Sequence, residues 1–335
     1  MSKSIQSFVC RWFNLSIVLL LAMPATAAES PDMRLQQAVV QLTDKARPGV
    51  LGITVVDLDT RTRIRINADR AYPMMSVIKA PVAAAVLAQI DTGRIRLEQE
   101  VTIDRRDVVD GAAVPSIGAQ FEGEHMRFTV DRLLVATVSE SDNTAVDALI
   151  RLVGGPLVVT EFLRAHGIKG MRIDVGEAEV DRIFKDTANG QSIPAQESDQ
   201  AALTRQQRGY RAYLADPRNR TTPDAAADFL EKLWSGQLLS ADSTKRLLGL
   251  MYGQTVPNRL RAGLPAGVRF ADKCGTSNSL EGETAAFNDI GIISRPNGHT
   301  IIVAAFLTTS RADKEARDSL FAEIGKVVTD ALLVP

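Results

Sequence analysis

A helix is expected over residues 33–46, followed by two apolar, β-rich runs at 49–57 and 62–67 that read as strands around an Asp59-Thr60 turn. From Ser76 to Ile90 the pattern turns helical and alanine-rich. Pro81 falls near its start, in the first turn, where the missing N–H has no partner to lose. Polar and helical segments continue to about Gly236, including 130–138, 143–153, 155–166 and 223–234. The last third returns to strands at 268–274, 285–294 and 300–308, with turn chemistry at Arg295-Pro296-Asn297-Gly298 and a closing amphipathic helix over 312–333. Strands at both ends of a helical middle predict an α/β fold of the α+β kind. One antiparallel sheet is built from both chain ends and flanked by helices, and an all-helical lobe is inserted. The helical lobe spans about 71–230 and the sheet lobe about 33–70 and 237–335. Such a fold places a site at the seam between lobes.

The first residues follow a different pattern. Lys3 and Arg11 precede an apolar run at 13–23, and Ala25-Thr26-Ala27 supplies small residues at alternate positions. This is the layout of a signal peptide spanning 1–28, cleaved after Ala27 or Ala28. A membrane anchor is the alternative, but a spanning helix needs about 20 apolar residues, and this run is shorter and interrupted by Asn14 and Ser16. The expected mature chain, 29–335, is a single exported domain, periplasmic or secreted, with no membrane attachment.

Composition narrows the function. At 335 residues, 45% hydrophobic and 24% charged, the chain is an ordinary globular protein. Its formal charge of −1 becomes −3 without Lys3 and Arg11, which argues against nucleic acid as a partner. Cys10 leaves with the leader, so Cys274 alone remains and no internal disulfide is possible. His125, His166 and His299 are scattered without ligand spacing, and a zinc hydrolase needs three or four close ligands. No metal or organic cofactor is expected.

Candidate chemistry starts at Ser76-Val77-Ile78-Lys79. A spacing of three on a helix puts the hydroxyl and the amine on one face, with the serine at the N-terminus, where free amides favour developing negative charge. A lysine buried there could lose its proton near neutral pH and activate the serine. Alone, the motif is equally a helix cap followed by a surface lysine. Two further motifs follow in order, Ser141-Asp142-Asn143 after an apolar helix and Lys273-Cys274-Gly275-Thr276 at the end of a strand. Together they match the Ser-x-x-Lys, Ser-Asp-Asn and Lys-Thr-Gly set of class A β-lactamases and penicillin-binding proteins.

On these boxes the chain resembles the class A β-lactamase family over nearly its whole mature length. Leu152-Val153-Gly154-Gly155-Pro156, the run from Arg259 to Gly267 and the run from Glu283 to Gly291 are also similar. The resemblance implies that Ser76 is acylated by a β-lactam, with the backbone amides of Ser76 and Thr276 as the oxyanion hole. Lys79 would share the proton network, Ser141 would relay a proton to the leaving nitrogen, and Lys273 would set its electrostatic surroundings. Asn143, Gly275, Thr276 and Arg259 fall on the substrate-binding side, and Arg261 with Asp272 resembles a structural ion pair. Glu177 aligns with the glutamate that activates the deacylating water, and Glu179 is the competing base. Asp181 stands where asparagine is usual and could help orient that water. Val175 stands where many members carry arginine, and Arg172 is a doubtful substitute. Whether Lys79 or Glu177 takes the serine proton is left open.

The pattern also departs from the family. Cys274 replaces a threonine or serine, as a weak donor to a substrate carboxylate or as a small buried strand residue. The long stretch from Lys185 to Arg220 reads as a partly helical lid or, more plainly, as a solvated insertion. Residues 105–121 contain no Tyr or Trp to wall the substrate. The expected function is β-lactam hydrolysis by a monomer acting on a small-molecule substrate. The alternatives are a D,D-peptidase-like or slowly turning-over penicillin-binding serine protein, and a non-hydrolytic β-lactam sensor.

Overall fold

In the computed structural model, residues 31–110, 114, 116–256, 259–295 and 298–332 are described. The expected leader at 1–28, and Pro296 and Asn297 of the last turn, lie outside them. Five strands form the main sheet, β1 (Val50–Asp57), β2 (Arg63–Ile66), β7 (Arg269–Thr276), β10 (Phe287–Ser294) and β11 (Thr300–Thr308), in the order β2-β1-β11-β10-β7. Every neighbouring pair is antiparallel, and β1 meets β11 in the register Val50↔Thr308 to Asp57↔Ile301. The sheet is therefore closed by strands from opposite chain ends, as the sequence pattern predicts.

Its central strands are apolar on both faces because both faces are covered. Ile301, Val303, Ala305 and Leu307 of β11 join one core with helices α1 (Pro31–Lys45) and α10 (Lys314–Leu332). Ile302, Ala304 and Phe306 point into the other, against α8 (Pro223–Trp234) and the helical lobe. At the centre of that lobe lies α2 (Lys79–Asp91), buried without a break from Lys79 to Leu87. Around α2 pack α3 (Val130–Val138), α4 (Asn143–Val153), α5 (Pro156–Ala165) and α9 (Ala241–Tyr252).

Several elements go beyond the sequence reading. The helix expected from Ser76 opens as a 3₁₀ turn, Met75–Ile78, before α2 begins. Helix α9 escaped notice because its first turn is polar; Ser240 caps it and hydrogen-bonds Asp91 of α2. Three short two-stranded ribbons also form, β3 (Tyr72–Pro73) with β6 (Arg220–Thr221), β4 (Glu100–Asp104) with β5 (His125–Thr129), and β8 (Ser279–Leu280) with β9 (Glu283–Thr284). The first and last are too short to carry a period, whereas β4 and β5 do alternate Val101, Ile103 and Met126, Phe128 with polar residues. Two helices lie in the region of Glu177 and the stretch after it, α6 (Glu177–Phe184) and α7 (Asp199–Ala215), so the stretch from Lys185 to Arg220 is partly helical. Among the described residues, no helix is long and apolar enough to cross a membrane.

Candidate active site

The site is built where β7 meets the 3₁₀ turn. Met75, immediately before Ser76, adopts φ +48°, a left-handed conformation that costs a side-chain residue about 1–3 kcal/mol and persists only where its surroundings impose it. The constraint comes from the sheet. Asn288 of β10 donates to the carbonyls of Pro73 and Met74, and Gly275 presses against the turn. A Cβ at position 275 would lie 2.6 Å from Met74 O and 3.1 Å from Ser76 N. The glycine of the third box thus allows the strand to reach the nucleophile's own backbone.

Lys79 is fully buried one turn on. Its Nζ donates to Ser76 Oγ (2.8 Å), Ser141 O (2.8 Å) and Asn143 Oδ1 (2.7 Å), and lies 3.3 Å from Ser141 Oγ. Burial brings its pKa down from 10.5 to about 8, and the nearby charge of Lys273 adds to this against the opposing pull of Glu177. An amine so placed changes its protonation state near neutral pH.

Ser141 sits on the α3–α4 connection with φ +59°. Asp142, next to it, caps α4 through Ala145 N and accepts the N–H groups of Ser116 and Ile117. One buried carboxylate therefore fixes both the Ser141 loop and the segment facing it. Asn143 bridges Lys79 and the carbonyl of Asp110.

Glu177 opens α6 and is buried, its Oε1 3.6 Å from Lys79 Nζ. That oxygen accepts no hydrogen bond from the described residues. Glu179 turns outward to Arg182 and Arg218, and Asp181 is taken by Lys185. Of the two candidate bases, Glu177 is the one beside Lys79. Arg172 pairs with Asp174.

Sequence reasoning missed Asp147. Its carboxylate, on α4, accepts the N–H of Glu177 (2.6 Å) and of Ala178 (2.9 Å), capping α6 from outside the helix. Burial raises its pKa to about 6 against the pull of these bonds. The available signal was an acid within the apolar run Ala145-Val146-Asp147-Ala148-Leu149, where an unpartnered carboxylate would be costly.

On β7, Lys273 is fully buried and donates to Cys274 O. Cys274 is a buried free cysteine opposite Asp289, in line with the small-strand-residue reading. Arg259 is buried rather than solvent-facing. Its guanidinium lies 3.9 Å from the Phe287 ring centre and donates to the carbonyls of Gly275 and Asn288 and to Thr276 Oγ1. Arg261 and Asp272 do form an ion pair. Behind them, burial and the Asp272 carboxylate push Asp289 up to about 8. Ser76, Ser141, Asn143 and Glu177 thus converge on the Lys79 amine. Gly275 lies against the Ser76 turn, with Thr276 beside it on the strand, and Arg259 reaches both from the turn before Leu260. The cluster holds a hydroxyl, a titratable amine and a carboxylate in contact range, the parts needed to activate a nucleophile and later a water.

The β-lactamase enzyme family model matches residues 34–332. The extended-spectrum β-lactamase PER-1 of Pseudomonas aeruginosa is 31% identical over 90% of this chain and 87% of its own length. The β-lactamase VEB-1 of the same organism is 29% identical over 84% and 85%. Among solved structures, a β-lactamase from Chitinophaga pinensis superposes with a TM-score of 0.74 at 28% identity, covering 89% of this chain and 98% of its own. An ancestral class A β-lactamase gives 0.71 at 34% identity, covering 89% and 99%.

Proposed function

The chain belongs to the β-lactamase enzyme family and is a class A serine β-lactamase, and from that premise we propose how its residues divide the reaction. Ser76 Oγ attacks the lactam carbonyl, giving up its proton into the network centred on Lys79. The developing oxyanion takes hydrogen bonds from the backbone amides of Ser76 and Thr276, each worth about 3–4 kcal/mol in such sites. Ser141 passes a proton to the lactam nitrogen as the ring C–N bond breaks, with Lys273 supplying positive potential. Asn143 holds the amide side chain of the substrate, and Gly275 gives β7 its close approach. Arg259, with Thr276, serves the substrate carboxylate from behind the strand, through the hydrogen bonds that orient the box.

Glu177 then takes a proton from a water, which attacks the acyl carbonyl and frees Ser76. The observation that carries this reading is the chain of contacts from Ser76 Oγ through Lys79 Nζ to Glu177 Oε1, at 2.8 and 3.6 Å. The buried oxygen of Glu177, which accepts no hydrogen bond from the described residues, is the acceptor a reacting water requires. Penicillins and cephalosporins are the substrate class. The protein acts as a monomer, without metal or organic cofactor, after export to the periplasm or medium by its N-terminal segment.

Hydrolysis of a chromogenic cephalosporin by the wild type and by Glu177→Gln tests the assignment. Wild type turns over, and the variant stops at a covalent adduct on Ser76, seen as a mass increase on the intact protein. A wild type that is acylated and never turns over would return the protein to the penicillin-binding class.

A further inference from the structure

Helix α6 has two turns, too few to hold itself together in water. Its N-terminus is fastened by Asp147. Its C-terminus is fastened by the insertion. Helix α7 is polar over most of its length, and its buried residues are Gly209, Tyr210 and Tyr213, a single stripe. Gly209 would be an expensive choice in a helix interior, about 1 kcal/mol worse than alanine, and its surroundings explain it. A Cβ there would lie 2.2 Å from the carbonyl oxygen of Phe184 and 2.7 Å from that of Ile183. The gap lets α7 lie directly on the last turn of α6.

Four residues further along, the Tyr213 ring stacks on Phe184 at 4.2 Å between centres. Its hydroxyl donates to Met75 Sδ, the side chain of the strained residue preceding Ser76. The Arg220 guanidinium lies over the ring, 5.1 Å from its centre, and donates to Tyr213 O, closing the C-terminus of α7. Tyr210 reaches Glu283 of β9. The insertion is thus joined to the Glu177 helix, the nucleophile turn and the β8–β9 ribbon, largely through one apolar cluster.

We infer that α7 is a positioning element for deacylation, with Tyr213 as the positioning residue. The row Phe184–Tyr213–Met75 holds α6, and Glu177 at its head, in register with Ser76. Neither residue of α7 touches a reacting atom; both act through Glu177 and Met75, so the inference rests on Glu177 being the deacylating base.

Three variants and one measurement on the unaltered protein test it. Tyr213→Leu keeps an apolar filler and removes the stack, Gly209→Ala keeps the helix and drives it off α6, and Tyr213→Phe keeps the ring. Pre-steady-state kinetics with a chromogenic cephalosporin separate acylation from deacylation. In Tyr213→Leu and Gly209→Ala deacylation should slow by about tenfold or more, acyl-enzyme should accumulate, and KM should fall with kcat while kcat/KM holds within about threefold. Tyr213→Phe should restore deacylation to within about threefold of wild type.

Wild-type deacylation in both Tyr213→Leu and Gly209→Ala overturns the inference. So does an equal loss of acylation and deacylation, the mark of a purely structural role. Should those two variants fail to fold, hydrogen exchange on the wild type decides: α6 and α7 are expected to open as one unit, and an α7 that exchanges freely beside a protected α6 rejects it. Glu177→Gln is the control. If it accumulates no acyl-enzyme, the base assignment itself has failed, independently of α7.

Discussion

Asp147 shows how one side chain can set the behaviour of another that performs the chemistry. Each of its oxygens accepts one amide of the α6 N-terminus. With its pKa raised from 3.8 to about 6, the folded state holds the acidic proton more tightly than the unfolded chain does. The group therefore favours folding below about pH 4, and that preference disappears as pH climbs through about 6. Its effect on the site runs the other way. As pH falls through about 6, one oxygen becomes a donor facing an N–H, and α6 loses half of its cap. A limb in kcat near pH 6 is expected. Asp147→Asn carries the same mismatch at every pH, so its kcat should be lower by about tenfold at neutral pH, on the order of one lost buried hydrogen bond, with that limb gone. A wild-type pH profile in Asp147→Asn would rule this out. At this scale the sequence was legible where residue types recur at a fixed spacing: Ser76 with Lys79, then Ser141 and Asn143. Asp147 and the buried setting of Arg259 escaped it, because both depend on backbone groups brought in from elsewhere in the chain.

Among the elements, α4 illustrates how a helix end is used twice. Asp142 caps its N-terminus and also collects the amides of Ser116 and Ile117. Asp142→Ala should therefore cost more than an ordinary cap, whose loss is typically about 1 kcal/mol; about 3 kcal/mol by urea unfolding is expected, since two further buried amides are orphaned. A loss of under 1 kcal/mol would mean those amides find other partners. The long apolar elements, α2, β1, β10 and β11, announced themselves because both the period and the burial are continuous. Helix α9 did not, since it begins with polar residues, and α7 was legible only as a partly helical stretch, since it offers a narrow buried stripe. The one helix-interior clue in the insertion, Gly209, becomes readable only once its neighbour is known to be the α6 backbone.

For the molecule as a whole, the far face of the sheet supports the near one. Phe321 of α10 is fully buried and meets Phe287 edge-on at 5.0 Å, and the Arg259 guanidinium lies against the Phe287 ring. Phe321→Ala should lose about 3–5 kcal/mol of stability in urea unfolding; a change under 1 kcal/mol would show that α10 repacks without penalty. The two-core layout follows from strands that are apolar on both faces, which the sequence displays plainly. The pairing that completes it joins Val50 to Thr308. A chain growing from its N-terminus therefore cannot form its central β1–β11 ladder until nearly every residue has been made. Such late closure makes folding slow, and until then both faces of the sheet's apolar strands stay uncovered, so whatever delays the C-terminal strands lengthens the time in which this chain can aggregate.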